Sequence, residues 1–313
     1  MVRHSTMKAA RIHKFGGPEV IVVEDVPRPI PGPNEIVVRV MAAGVGPWDA
    51  LIRDGKSEVS PQPPLTLGSD LSGIVEELGP AVSGFQKGDE IYGVTNPQFC
   101  GANAEFAIAS AAMVAPKPKL LSHIEAASAP VVAVTAWQML FDYGQAKRNQ
   151  AVLILGAAGN VGAYAVQLAA KTGLNITAVA KSNDISYVQS LGAETVVDDH
   201  GQRFEDAVGS VDLVLDMVGG EMRDRAARLL KPGGSLVSVV SNEPIPTTAN
   251  VRSLFFYVEV TTERLNRVSQ LFDQQELAPK VGTVLPLTDI RIAHEMLGGA
   301  PHDRGKIVLE VVR

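Results

Sequence analysis

Cysteine is nearly missing from this sequence: among 313 residues only Cys100 is present. An intrachain disulfide and a multi-cysteine metal site are therefore excluded, and a reducing compartment is expected. Clustered basic charge is missing too. With a formal net charge of −6 and no lysine- or arginine-rich face, the chain has no footprint for nucleic acid or an anionic membrane. No run approaches the roughly 20 consecutive apolar residues of a membrane-spanning helix. The opening "MVRHST" lacks the apolar core of a secretory signal, so the expected location is the cytoplasm. Residues 1–6 precede a second methionine, Met7, and read as an extension without a function. Internal repeats and low-complexity tracts are absent.

What is present is the composition of a soluble globular protein, 46% apolar and 20% charged. The length suits two domains better than one small core. From Met7 onward, short strands are broken by Gly and Pro. "EIVVRV" sets Ile36, Val38 and Val40 against Glu35, Val37 and Arg39, the period of a strand with one polar face. "PRPIPGPNE" and "PQPPLTLGSD" can be neither helix nor central strand, because proline lacks the donor and locks its own backbone. A twisted, mostly antiparallel β-domain follows for 7–121.

Beyond "PKPKLLSHIEAASAP" the rhythm becomes strand, helix, strand. The apolar runs "VLIL", "ITAVA", "TVVD", "VDLVLD" and "SLVSVV" read as parallel strands covered on both faces. Helical spacing joins Val161, Ala165, Leu168 and Ala169, and then Met222, Ala226, Leu229 and Leu230. "RLNRVSQLF" adds a helix with Leu265, Val268, Leu271 and Phe272 on one side. The fold expected is α/β: a doubly wound parallel-sheet domain over 122–276, with 277–313 returning to the β-domain as strands around a short helix.

The stretch "LILGAAGNVGAYAVQLAAKTG" breaks an apolar strand at glycines and resumes as a helix. Ala157, Gly159 and Gly162 fill the places of a G-x-G-x-x-G fingerprint, with alanine first. The middle glycine admits a pyrophosphate to the backbone, the last lets helix and strand pack closely, and the helix start faces the anion. Alone the motif is weak, since any α/β protein has glycine turns; its place inside a βαβ unit is what makes it specific. Ala158, Gly159, Asn160, Val161 and Gly162 are the expected phosphate contacts.

At the end of the next strand, "ITAVAKSND" puts Ala180 where an NAD-preferring protein has an acid for the ribose 2′-hydroxyl. Lys181 and Ser182 follow, a cation and a hydroxyl suited to a 2′-phosphate. NADPH is the expected cofactor. The competing reading of Lys181 is an ordinary solvated loop lysine.

The phrases "MKAARIHKFGGPEV", "GSDLSGIVEELG", "GDEIYG", "VTAWQMLFD", "GAAGNVG", "SLGAETVVD", "LDMVGG", "LLKPGGSLVSV" and "RGKIVLEV" together resemble the medium-chain dehydrogenase/reductase superfamily from Met7 to Arg313. The nearer likeness is to its zinc-free quinone oxidoreductase branch, the zeta-crystallin-like NADPH reductases, which implies a GroES-like β-domain and a Rossmann domain. Where zinc-dependent relatives place Cys, His and Cys, the corresponding positions look like Gly46, Ser69 and Val131. Only the serine is even a poor zinc ligand, and no metal is expected. The resemblance further implies that Thr135 lies near the nicotinamide, that Asp216 to Gly219, including Val218, lie beside the cofactor, and that Val240 and Ser241 reach the nicotinamide-ribose side. It makes Phe256 and Tyr257 candidates near the carboxamide; packing in a core or subunit interface is an equal reading of that aromatic pair.

Two departures stand out. Many relatives have Asn and Tyr where this chain reads Gly46, Pro47, Trp48, Asp49, so acceptor preference does not transfer. Some have a phosphate-binding Tyr where Asp199 stands, and an acid there opposes NADPH. Catalytic residues are not evident, and Trp48, Asp49 and Tyr92 are the candidates for lining the acceptor pocket. A helix-start role competes for Asp49, strand-end packing for Tyr92, and a loop or helix start for His123. Cys100 has no activating partner in sequence. The expected activity is zinc-independent hydride transfer from NADPH to a quinone or an α,β-unsaturated carbonyl, in a homodimer. Enoyl-thioester reduction and a non-catalytic NADPH-binding role remain as alternatives.

Overall fold

The computed structural model describes residues 6–59, 61–198, 203–246 and 250–311. The chain divides into two units, one running to Val131 and resuming at Val260, the other Val132–Glu259. These limits differ from the expected 122 and 276, and the hydrogen bonds show why. His123, which opens helix His123–Ala127, has its Nδ1 2.8 Å from the Ser72 hydroxyl. Helix Thr262–Asp273 is tied through the Thr262 hydroxyl to the Val114 carbonyl at 2.7 Å. Both helices therefore belong with the β-strands. Thr261 caps the second one by accepting the Arg264 N–H, and its buried face is Leu265, Val268, Leu271 and Phe272.

In the first unit the long strand Glu35–Val45 lies centrally. It pairs antiparallel with Asp70–Leu78, Phe106–Ser110 and the C-terminal Lys306–Glu310. The last described strand thus joins the sheet begun by Glu35–Val45, with Val281–Pro286 paired in parallel on its other side. The polar face expected for this strand is interrupted: Val37 is as fully buried as Ile36, Val38 and Val40, because a central strand is covered on both sides. A smaller sheet pairs Thr6–Ile12 with Ile21–Pro27 and Leu65–Thr66. Ile12, Ile21, Ile36, Val38, Leu71, Ile91 and Leu309 share the core.

In the second unit the described strands form a parallel sheet in the spatial order Thr195–Asp198, Asn175–Ala180, Ala151–Leu155, Val211–Asp216, Leu230–Ser238, Arg252–Phe255. Chain order runs outward from Ala151–Leu155 in both directions, the doubly wound topology whose switch point lies beside that strand. Leu153, Leu155, Val179, Val214 and Leu236 fill its core. One periodicity reading fails here. Leu229 and Leu230 were expected on a helix, but the helix Gly220–Ala227 stops short and Leu230 opens a strand. Pro232 disfavours helical backbone at Lys231, and the strand takes up an irregular register there.

Candidate functional site

In the second unit, strand Ala151–Leu155 turns at Gly156, whose φ of +76° is the left-handed backbone that favours glycine. Gly156 is thus the first glycine of the turn, immediately before Ala157, which opens the G-x-G-x-x-G spacing. Its carbonyl accepts the Gly159 N–H at 3.0 Å, so that amide is already used. Gly159 caps helix Asn160–Thr172, whose thirteen residues end at left-handed Gly173. The helix's first N–H groups, from Asn160 to Gly162, have no acceptor within the helix. A Cβ on Gly162 would run into the Gly156 carbonyl and lie 2.8 Å from Ala157 Cα, which is the close helix-to-strand packing expected of the last glycine. A Cβ on Gly159 would find only the Gly156 oxygen, at 3.3 Å. The turn is therefore open on the side a pyrophosphate needs, and these residues fit a dinucleotide.

At the neighbouring strand end Ala180 is buried, while Lys181 and Ser182 are exposed. The Ser182 hydroxyl donates to Asp198 Oδ2 at 2.5 Å. A hydroxyl has one proton, so this one is spent on a carboxylate that the sequence reading did not single out. Asp199, expected to oppose a 2′-phosphate, lies outside the described residues. Thr135 is buried on helix Pro130–Trp137. Phe256 is buried with its ring stacked on Tyr143 at 4.3 Å, and Tyr257 is exposed; the packing reading accounts for the Phe256 ring. Val218 and Val240 are large apolar side chains about half exposed at adjacent strand ends.

In the first unit the structure draws the three metal-related positions into one network. The Trp48 indole lies against Gly46 so closely that a Cβ at 46 would come within 2.6 Å of Trp48 Cζ2. Its Nε1 donates to Ser69 Oγ at 2.9 Å. The Lys306 ammonium sits 4.1 Å from the ring centroid and pairs with Asp70 at 2.8 Å, both residues fully buried. Asp70 in turn accepts the Val131 N–H at 3.1 Å. Among the described residues no group of three or more His, Cys, Asp or Glu could hold a metal ion.

Asp49 serves the helix start. Its Oδ2 accepts the Gly46 N–H at 2.7 Å, holding helix Pro47–Arg53. Burial pushes its pKa up to about 7, against the pull of that N–H and of Lys306. Tyr92 leaves the pocket candidates: fully buried, its hydroxyl donates to the Leu265 carbonyl at 2.8 Å and accepts from Ser269 at 2.9 Å. His123 begins a helix, its second ring nitrogen 3.3 Å from Glu90, with burial lowering its pKa. Burial raises the Cys100 thiol, which does not favour a nucleophilic thiolate.

A doubly wound unit with a glycine turn that fits a dinucleotide, in one chain with a mostly antiparallel β-unit, is the pair of parts expected of a pyridine-nucleotide oxidoreductase. The models of two families match, the alcohol dehydrogenase GroES-like domain over residues 32–119 and the zinc-binding dehydrogenase over residues 191–309. The quinone oxidoreductase of Sus scrofa is 32% identical, with 97% of each chain covered. A mitochondrial NAD(P)H oxidoreductase of Mus musculus is 30% identical over 99% of this chain and 90% of its own. The solved quinone oxidoreductase from Coxiella burnetii is 31% identical, with a TM-score of 0.88 over 98% of this chain and 100% of its own. The chain belongs to the medium-chain dehydrogenase/reductase superfamily, with quinone oxidoreductases among its relatives. It is an oxidoreductase using a nicotinamide cofactor. Among the described residues no helix is long and apolar enough to cross a membrane.

Proposed function

We propose that this protein is a zinc-independent, NADPH-dependent reductase of quinones and α,β-unsaturated carbonyls, acting as a cytoplasmic homodimer. The observation that carries the reading is what fills the positions where zinc-dependent relatives place ligands: Trp48 packed on Gly46 and bonded to Ser69, at most a poor ligand, while the Asp70 carboxylate is taken by Lys306 and the Val131 N–H. Without a Lewis acid to polarise an alcohol or ketone, the fitting substrate is one already electron-poor.

A bound NADPH supplies the hydride. The chain's own part is to bind and orient. The helix start at Asn160, Val161 and Gly162 offers backbone N–H groups and the positive end of the helix to the pyrophosphate. Lys181 supplies the exposed cation for a 2′-phosphate; Ser182, with its proton given to Asp198, contributes little. Val218 and Val240 offer apolar surface to a flat ring. In the first unit Trp48 is held at its nitrogen by Ser69 and at its face by Lys306, a fixed aromatic surface that suits planar molecules. No dedicated acid is assigned: Asp49 is fully buried with Oδ2 on the Gly46 N–H, Tyr92 donates to the Leu265 carbonyl, and solvent supplies the proton.

The test is NADPH consumption with and without 9,10-phenanthrenequinone, simple quinones, enones and an enoyl thioester. Acceptor-dependent oxidation by quinones or enones supports the reading. A marked preference for the thioester supports carrier-linked reduction instead, and binding without oxidation supports a non-catalytic role.

A further inference from the structure

Asp216 and Ser238 end adjacent strands of the second unit, and both are wholly buried. Asp216 Oδ1 accepts the N–H groups of Val218 at 3.0 Å and Gly219 at 2.8 Å. Its Oδ2 accepts the Ser238 hydroxyl at 2.7 Å, and the buried Arg223 guanidinium lies 3.9 Å from the same oxygen. Ser238 Oγ accepts in turn from the N–H groups of Val240 at 3.2 Å and Ser241 at 3.1 Å. A hydroxyl has one proton and two lone pairs, and all three are used. Two side chains thus tie down two consecutive loops.

Those loops present Val218 and Val240, 48% and 51% exposed, at the carboxyl ends of parallel strands, where open α/β sheets bind ligands. Their surface is continuous with the phosphate turn: a Cβ on Gly156 would lie 3.0 Å from Val218 Cγ2, and one on Gly219 would lie 3.3 Å from Val240 Cγ2. A buried carboxylate is a poor source of stability for its own sake. Its use here is to hold polar loop backbone in place so that two branched apolar side chains stay in water.

We propose that Asp216 and Ser238 are positioning residues for the dinucleotide, fixing Val218 and Val240 as an apolar shelf for its nicotinamide half. Neither residue contacts the cofactor; each acts through the loop it holds. The inference rests on the reading of the glycine turn as a dinucleotide site.

The test is a cofactor-fluorescence titration with NADPH and with NADH of the full-length wild type, Asp216→Asn, Ser238→Ala, the double variant and Asp212→Asn, with thermal unfolding in parallel. Asp212 is the control: its carboxylate binds the Ala151 N–H at 2.8 Å and Lys231 at 2.9 Å, at the opposite end of the same strand. Each single change at Asp216 or Ser238 breaks the bond between them, and Ser238→Ala also frees the Val240 and Ser241 N–H groups; each should raise the Kd for NADPH at least about tenfold. The double variant should lose less than the product of the two single losses, because both changes sever the same O–H···O bond. Asp212→Asn should lower Tm and leave Kd unchanged. Kd values within twofold of wild type in both variants, or an equal rise in Asp212→Asn, would overturn the proposal. Should Asp216→Asn not fold, Ser238→Ala decides alone. A folded wild type that binds neither cofactor removes the dinucleotide reading itself and the inference with it.

Discussion

The Trp48 indole occupies the volume that any side chain at residue 46 would need. Glycine at 46 and tryptophan at 48 are therefore one solution, and neither can be read separately. Gly46→Cys, which restores a metal-ligand type at this position, should destabilise the protein by about 1–3 kcal/mol through overpacking and should bring no zinc. Thermal unfolding and elemental analysis of the variant check both parts. Stoichiometric zinc in Gly46→Cys would show that the Trp48 network yields to a metal.

Asp49 makes stability depend on pH in a defined direction. Its folded pKa, about 7, stands above the ordinary 3.8 because burial penalises the charged carboxylate. Between those values the folded state keeps a proton that the unfolded chain has lost, so stability falls as pH rises through this window and levels off above it. Asp49→Asn should flatten that slope. Denaturant unfolding from pH 4 to pH 8 checks it, and parallel curves for the two proteins would place the titration elsewhere.

Gly159→Val should weaken NADPH binding: its Cβ would press on the Gly156 oxygen at 3.3 Å, which must shift by a few tenths of an ångström for the fold to survive, and the branched side chain would fill the turn. Cofactor fluorescence beside circular dichroism is the check. Unchanged affinity in a folded variant would move the cofactor away from this turn.

Lys181→Ala should cost NADPH about 1.5–3 kcal/mol, the range for a hydrogen bond to a charged group, and barely alter NADH. Ser182→Ala should change neither much, because its hydroxyl serves Asp198 at 2.5 Å. Dissociation constants for both cofactors at one fixed salt concentration decide it, as an exposed contact is screened. Equal losses for NADPH and NADH would reduce Lys181 to a solvated loop residue.

The nucleotide unit could be read from local pattern because its signals are local: an apolar strand, a glycine turn and a helix lie within one short stretch, and Gly159 and Gly162 carry their roles in adjacent residues. The left-handed turn at Gly156 falls one residue before the G-x-G-x-x-G spacing, which starts at Ala157, so only the backbone reveals it. What no local pattern reveals is contact across the chain. Trp48 meets Ser69 and Lys306, Tyr92 meets Leu265, and Asp216 meets Ser238, each through sheet pairing or packing between distant segments. The unit boundaries moved for the same reason, since helices that look alike in periodicity differ in which strands they bond.

The central claim, reduction of electron-poor acceptors without a metal, is met most directly by one paired measurement. Protein dialysed against chelator is assayed for NADPH oxidation with 9,10-phenanthrenequinone, and the same sample is submitted to elemental analysis. The account predicts acceptor-dependent oxidation undiminished by the chelator and no stoichiometric zinc. One zinc per chain lost together with activity, or no oxidation with quinone or enone acceptors by a folded, NADPH-binding protein, would contradict it.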